Sequence, residues 1–172
     1  MDKRNSKLRK QIGHSSVIKL LISSLLLVTA ILASSCSSPT AEELELERNE
    51  KLWQSQNITN YDFTLERQCF CSADWRGPVN IQVRNGVVIS VIYVSTGETV
   101  DPEIFNNADT IEELFGIIRD AYEEKNTFNQ KAEMVNVTYH PEMGYPLTIF
   151  IDVSKMIADE EQGYTVEELV AR

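Results

Sequence analysis

Apolar and polar residues alternate most cleanly between positions 61 and 69. Tyr61, Phe63, Leu65, Arg67 and Cys69 fall on one face, and Asp62, Thr64, Glu66 and Gln68 on the other. A period of two predicts a strand with one face in the core. The alternation returns at 79–84, where Val79, Ile81 and Val83 interleave with Asn80, Gln82 and Arg84. Asn85 and Gly86 follow, then an apolar run at 87–94. Asn-Gly between two β-branched runs predicts a type I′ hairpin, because both turn residues need positive φ. The second arm is apolar on both faces, which predicts a central strand covered on both sides. A further strand is predicted at 133–139, with Val135, Val137 and Tyr139 inward. After a turn from His140 to Tyr145, its hairpin partner carries Leu147, Ile149, Ile151 and Val153. Residues 159–163 read as a polar loop, and 164–170 fit either a last strand or a short helix.

Two segments show helical rather than strand spacing. Residues 41–56 start after Thr40, which can cap, and Glu42 and Glu43 suit the positive N-terminal end of a helix. The apolar stripe there is thin, Leu46 and Trp53 with Leu52 beside them, so Trp53 is its anchor. Thr110 with Glu113 three residues on makes a capping box. Ile111, Leu114, Phe115, Ile118 and Tyr122 then follow helical spacing to an end near Lys125. The order is helix, three strands, helix, two or three strands. Hairpin connections predict an α+β domain: an antiparallel sheet of about five or six strands with two helices packed on one face.

The N-terminus adds a different kind of segment before this domain. Lys3, Arg4, Lys7, Arg9 and Lys10 form a basic region, with Lys19 at its end. Residues 20–33 then carry no charge over 14 positions. A bilayer-spanning helix takes about 20 apolar residues, so the run is short for a permanent anchor and suits the core of an export signal. Ala33, Ser34 and Ser35 precede Cys36. This resembles the lipobox of bacterial lipoproteins. There the cysteine takes a diacylglyceryl group, the signal is cut just before it, and the new N-terminus is usually acylated, as with palmitate. The usual box has Leu three residues before the cysteine; here that place is Ala33 and the Leu is Leu32. Ordinary secretion with cleavage near Ala33 and an uncleaved signal-anchor are the competing readings. The polar stretch from Ser37 to Thr40 fits a tether. The expected organisation is a signal peptide at 1–35, a lipidated Cys36 and tether at 36–41, and one α+β domain at 42–172.

Charge and cysteine count follow from that division. The chain is −10 in all. The first 35 residues hold six of the 16 Lys/Arg and one of the 26 Asp/Glu, which leaves 10 against 25 and a net of −15. A surface of that sign repels nucleic acid, whose binding rests on Lys/Arg–phosphate contacts. It also repels anionic lipid head groups, so the lipid on Cys36 is expected to be the sole hold on the membrane. With Cys36 acylated, two of the three cysteines remain, Cys69 and Cys71. In an oxidising envelope they are one candidate disulfide.

Several short motifs, taken in order, carry a family resemblance. They are Trp53; Tyr61 and Phe63; Cys69, Phe70 and Cys71; the Asn85-Gly86 hairpin; the helix from Thr110 to Phe115; and Gly144, Tyr145 and Pro146. Together they resemble an uncharacterised family of small bacterial exported proteins, mostly lipoproteins, known as a domain of unknown function. The resemblance covers about residues 45–170. It implies an envelope location, and it supplies no catalytic residue.

Cys69 and Cys71 are the constellation with candidate chemistry. In an extended strand, residues i and i+2 are about 6.6 Å apart, wider than a disulfide allows, so the pair can bond only if the chain bends at Phe70. The turn-rich residues 72–78 favour such a bend. A structural disulfide, a redox-active or metal-binding pair and two separate thiols are the three readings. Metal needs further ligands, and outside the signal His140 is the one histidine; its default reading is a turn residue. Asp152, Asp159, Glu160 and Glu161 do not match the EF-hand spacing and read as a solvated loop. No Gly-x-Ser-x-Gly elbow, phosphate loop or dinucleotide fingerprint is present. The expected function is therefore a membrane-anchored envelope lipoprotein, a non-enzymatic module that binds a protein or small ligand and needs no cofactor. The alternatives are a thiol-redox or metal-handling protein acting through Cys69 and Cys71, and an unrecognised hydrolase.

Overall fold

A computed structural model describes residues 38–101, 104, 109–123 and 130–172. The expected export signal, Cys36 and the predicted helix end near Lys125 lie outside the described residues. Helix α1 (Ala41–Ser55) starts at Thr40 in a full capping box: the Glu43 amide donates to the Thr40 hydroxyl, and the Glu43 carboxylate accepts from the Thr40 amide. Strand β1 (Tyr61–Gln68), a single-turn helix α2 (Ala73–Arg76), and strands β2 (Val79–Arg84) and β3 (Val87–Tyr93) follow. Helix α3 (Ile111–Tyr122) opens with the second capping box, Thr110 with Glu113. Strands β4 (Met134–Tyr139), β5 (Pro146–Asp152) and β6 (Gln162–Ala171) close the chain. The last segment is thus a strand rather than a helix.

The six strands form one sheet in the order β3-β2-β1-β6-β5-β4, with every pairing antiparallel. With its helices this is an α+β domain. The alternation sets which face is buried. Tyr61, Phe63 and Leu65 of β1 and Val79, Ile81 and Val83 of β2 are buried, and they join Leu46 and Trp53 of α1 and Ile111, Leu114, Phe115 and Ile118 of α3 in one core. Asn85 and Gly86 close the β2–β3 hairpin at φ +52° and +73°.

One expectation is corrected. The segment at 87–94 is not a covered central strand: β3 is an edge strand, and Val87 and Ile89 are exposed. Residues 98–100 fold back beside part of that edge, with Tyr93 N–H donating to Glu98 and Val100 N–H to Val91. The central place goes to β6, which pairs with β1 on one side and β5 on the other. Apolar side chains on both faces of a strand report what it could bury, not which strands flank it. No helix of the described residues is long and apolar enough to cross a membrane.

Candidate functional site

The quoted motifs separate into two groups in space. Trp53, Tyr61 and Tyr145 pack edge to face, with ring centroids 5.4 and 6.0 Å from Trp53. Glu112 of α3 ties this joint together, accepting from Trp53 Nε1 and from the Tyr61 hydroxyl at 2.8 Å each. The Tyr61 oxygen in turn accepts from the Ile111 amide at 3.1 Å. Burial, with the Glu112 charge beside it, drives the Tyr61 phenol above its ordinary range and keeps it protonated. Gly144 sits at φ +82° against Asn49, Leu52 and Trp53 of α1, where an added Cβ would strike backbone. These residues fasten α1, α3 and the sheet to one another. Trp53, Tyr61, Gly144 and Tyr145 are buried, Glu112 is at the surface, and the Trp53 and Tyr61 polar groups are occupied.

The Cys69-Phe70-Cys71 motif is at the surface, as is the Asn85-Gly86 turn. Beyond the end of β1 the chain turns sharply at Phe70, and the Cα atoms of Cys69 and Cys71 come to 5.3 Å, with the sulfurs at disulfide distance. This is the bend that the spacing required. Both cysteines are half-buried, whereas Phe70 between them is 81% exposed. Cys69 and Phe70 line a cleft of about 290 Å³ with Gln68, Phe150, Asp159 and Glu161. Gly163 forms its floor beside Gln68, whose Cβ lies 3.0 Å from where a Gly163 Cβ would be. The thiol chemistry is therefore on a loop at the margin of the sheet and not in the core.

His140 is not brought to it. Its Nδ1 accepts from the Glu142 and Met143 amides at 3.3 and 3.2 Å, and its ring stacks on Tyr145 at 4.9 Å. It holds the β4–β5 turn, three strands across from β1 and at the other end of its own strand. At about 4.8 Å per strand and 3.3 Å per residue, it stands roughly 25 Å from the cysteines. In the acidic loop Glu160 is likewise committed: its carboxylate accepts from the Val153 and Ser154 amides and closes the β5–β6 connection. Among the described residues no group of three His, Cys, Asp or Glu side chains is placed to hold a metal.

One charged cluster was not legible beforehand. Arg67, on the core-facing side of β1, lies over the Tyr164 ring at 5.9 Å and donates to the Ile104 carbonyl at 2.8 Å. Near it, the Glu113 carboxylate accepts from the Asp109 and Thr110 amides at 2.9 and 3.1 Å. Burial, then the neighbouring Glu113 carboxyl, pushes Asp109 up to about 7. Burial alone would raise Glu113 as well, but its hydrogen bonds to Asp109 and Thr110 outweigh that and hold it low. The alternation puts Arg67, a charged residue, on the same face as Tyr61, Phe63 and Leu65. Nothing in the spacing paired Asp109 with Glu113, because a capping box already accounts for Glu113. The nearby cleft of about 260 Å³, between β3 and residues 99–101, includes Asp109 but is lined mainly by Val88, Ile89 and Val91.

Residues 45–171 match DUF6174, described as a family of unknown function. No curated protein and no solved structure matches the chain.

Proposed function

Because the chain belongs to the DUF6174 family of unknown function, its role has to be read from its own residues, and we propose that it is a lipid-anchored envelope protein whose domain binds a partner without catalysing a reaction. Residues 1–35 serve as the export signal. Cys36 carries the lipid, and residues 37–39 tether the domain to the bilayer, facing the periplasm or the exterior. The observation that carries this reading is the join between signal and fold. A basic region, 14 uncharged residues and small residues lead to Cys36, and the α1 capping box begins four residues later at Thr40. An acylated cysteine set directly before a capped helix is suited to an anchor and unsuited to a core. In this arrangement both helices cover one face of the sheet. The opposite face is mainly polar, with Thr64 bonded to Asn80 and Thr138 to Thr148, and carries Phe150 and Val170 among those groups. It is a surface open to a partner.

The test is Cys36→Ala in the producing cell. The substitution is expected to release the protein from the membrane fraction or leave the precursor uncleaved. Processing and membrane association identical to wild type would reject the anchor.

A second reading is favoured by one observation, the surface position of the Cys69–Cys71 pair beside an open cleft. Under it, a partner dithiol reduces the Cys69–Cys71 disulfide by exchange, through a mixed disulfide, and leaves as the oxidised partner. Partner capture that changes with the redox state of these two cysteines would support it over a purely structural bond.

A further inference from the structure

We infer that the end of the sheet carrying Phe70, Trp75, Met156 and Ile157 is a membrane-contact surface that lies against lipid head groups. The inference rests on the anchored reading above and deepens it by naming the side of the domain that faces the bilayer.

Exposure is the first argument. Phe70 is 81% exposed, Met156 90%, Ile157 45% and Trp75 43%. Val87 and Ile89 on the β3 edge and Val170 near the end of β6 are exposed as well, but the most exposed aromatic side chains, Phe70 and Trp75, are at this end with Met156 beside them, and such a grouping marks a contact site. The pairings place them together. Gln68 of β1 faces Gly163 of β6, so the loop after β1, with Phe70, lies beside the loop before β6, with Met156 and Ile157. The Tyr93 hydroxyl donates to the Asp74 carbonyl at 3.0 Å, which sets α2 and Trp75 at the β3 terminus on this same end. Aromatic and long aliphatic side chains on loops are the type that partition into the interfacial zone, with Trp favoured at head-group depth.

The second argument is where the chain enters the domain. Thr40 is bonded to Glu43, and Glu43 reaches Lys131 at 3.9 Å, just before β4. Two residues on, the Glu133 carboxylate accepts from the Lys155 amide, and Met156 follows. The start of α1 is therefore at the same end as the exposed apolar loops. The C-terminus is at the other end, where the Arg172 amide donates to the Asn60 carbonyl before β1. Cys36 precedes Thr40 by four residues, and a chain covers at most about 3.5 Å per residue, so a lipid on Cys36 holds Thr40 within about 14 Å of the bilayer surface. A tether that short keeps one end of the domain at the membrane.

Charge is the counter-argument, since the domain as a whole is strongly acidic. At this end Arg76 and Lys155 are outnumbered by Asp74, Asp159, Glu160 and Glu161, which disfavours an anionic surface. A zwitterionic surface is therefore the one to which apolar side chains can bind without a repulsive field.

The protein contains two tryptophans, and the fold separates them: Trp53 is buried at 2% and Trp75 is on the proposed surface. The experiment uses the full processed chain in phosphatidylcholine vesicles with and without brominated acyl chains, which quench tryptophan on contact. Its acylation state is read from intact mass in the same preparation. Bromination is expected to lower total emission roughly two-fold, because one of two tryptophans is at the interface. In Trp75→Phe, which leaves buried Trp53 as reporter, bromination should change almost nothing. In Phe70→Ser combined with Met156→Ser, quenching of Trp75 should weaken while far-ultraviolet circular dichroism stays native. An acylated protein whose Trp75 is not quenched overturns the inference and leaves the anchor standing, as does a self-associated form that protects Trp75 by contact between copies. A protein without lipid that does not sediment with vesicles overturns both. One without lipid that still binds, with Trp75 quenched, upholds the contact surface and rejects the anchor.

Discussion

Gly86 and Gly144 both sit at positive φ, yet they should respond differently to substitution. At Gly86 a Cβ would meet nothing within 4 Å, whereas at Gly144 it would meet the backbone of α1. Gly86→Ala should then cost only the backbone term, about 1 kcal/mol, and Gly86→Val about 1–3 kcal/mol. Gly144→Ala adds displacement of a helix to that term and should cost on the order of 3 kcal/mol. Urea unfolding of the variants checks the ranking; equal losses for the two alanine variants would show that α1 does not press on Gly144. Asp109 makes a prediction in pH. It is raised from its ordinary 3.8 to about 7, so between those values the folded state holds a proton that the unfolded state has released. Stability should fall as pH rises through that window. Glu113, held low, acts in the opposite sense, but at acid pH below its ordinary 4.5. The melting temperature of Asp109→Asn should decline less than that of wild type between pH 5 and pH 7. A parallel decline in both would remove Asp109 as the cause.

Elements were legible in the chain wherever a local pattern dictates them. The 61–69 alternation, the two capping boxes and the Asn85-Gly86 turn each act within a few residues, and each is present where the spacing placed it. The bend at Phe70 was legible too, because an extended backbone cannot bring Cys69 and Cys71 together. What depends on neighbours was not. A run such as 87–94 states its own polarity but not its flanking strands, so β3 read as central and stands at the edge. Glu112 joins Trp53 and Tyr61 from 59 and 51 residues away, and no local rule reports that. The Cys69–Cys71 loop allows a quantitative check at this scale. A bond across one intervening residue constrains the unfolded chain little. Replacing both cysteines with alanine should therefore cost only about 1–2 kcal/mol, much of it from lost packing. Thiol labelling of the denatured, unreduced protein should find neither sulfur free; two labelled thiols would show that the bond does not form.

For the molecule as a whole, the polar sheet face, the exposed apolar end and the entry of the chain at that end fit a domain held at a surface. The buried aromatic joint of Trp53, Tyr61 and Tyr145 fits a structural role for most of the motifs that carried the family resemblance. The anchoring turns on Cys36, because without a lipid there the short tether orients nothing. Intact-mass spectrometry of the protein extracted from membranes tests it most directly. The account predicts the mass of residues 36–172 plus a diacylglyceryl group, with or without one further acyl chain. A species of that polypeptide without lipid, one cleaved near Ala33, or the uncleaved chain of 172 residues would contradict it.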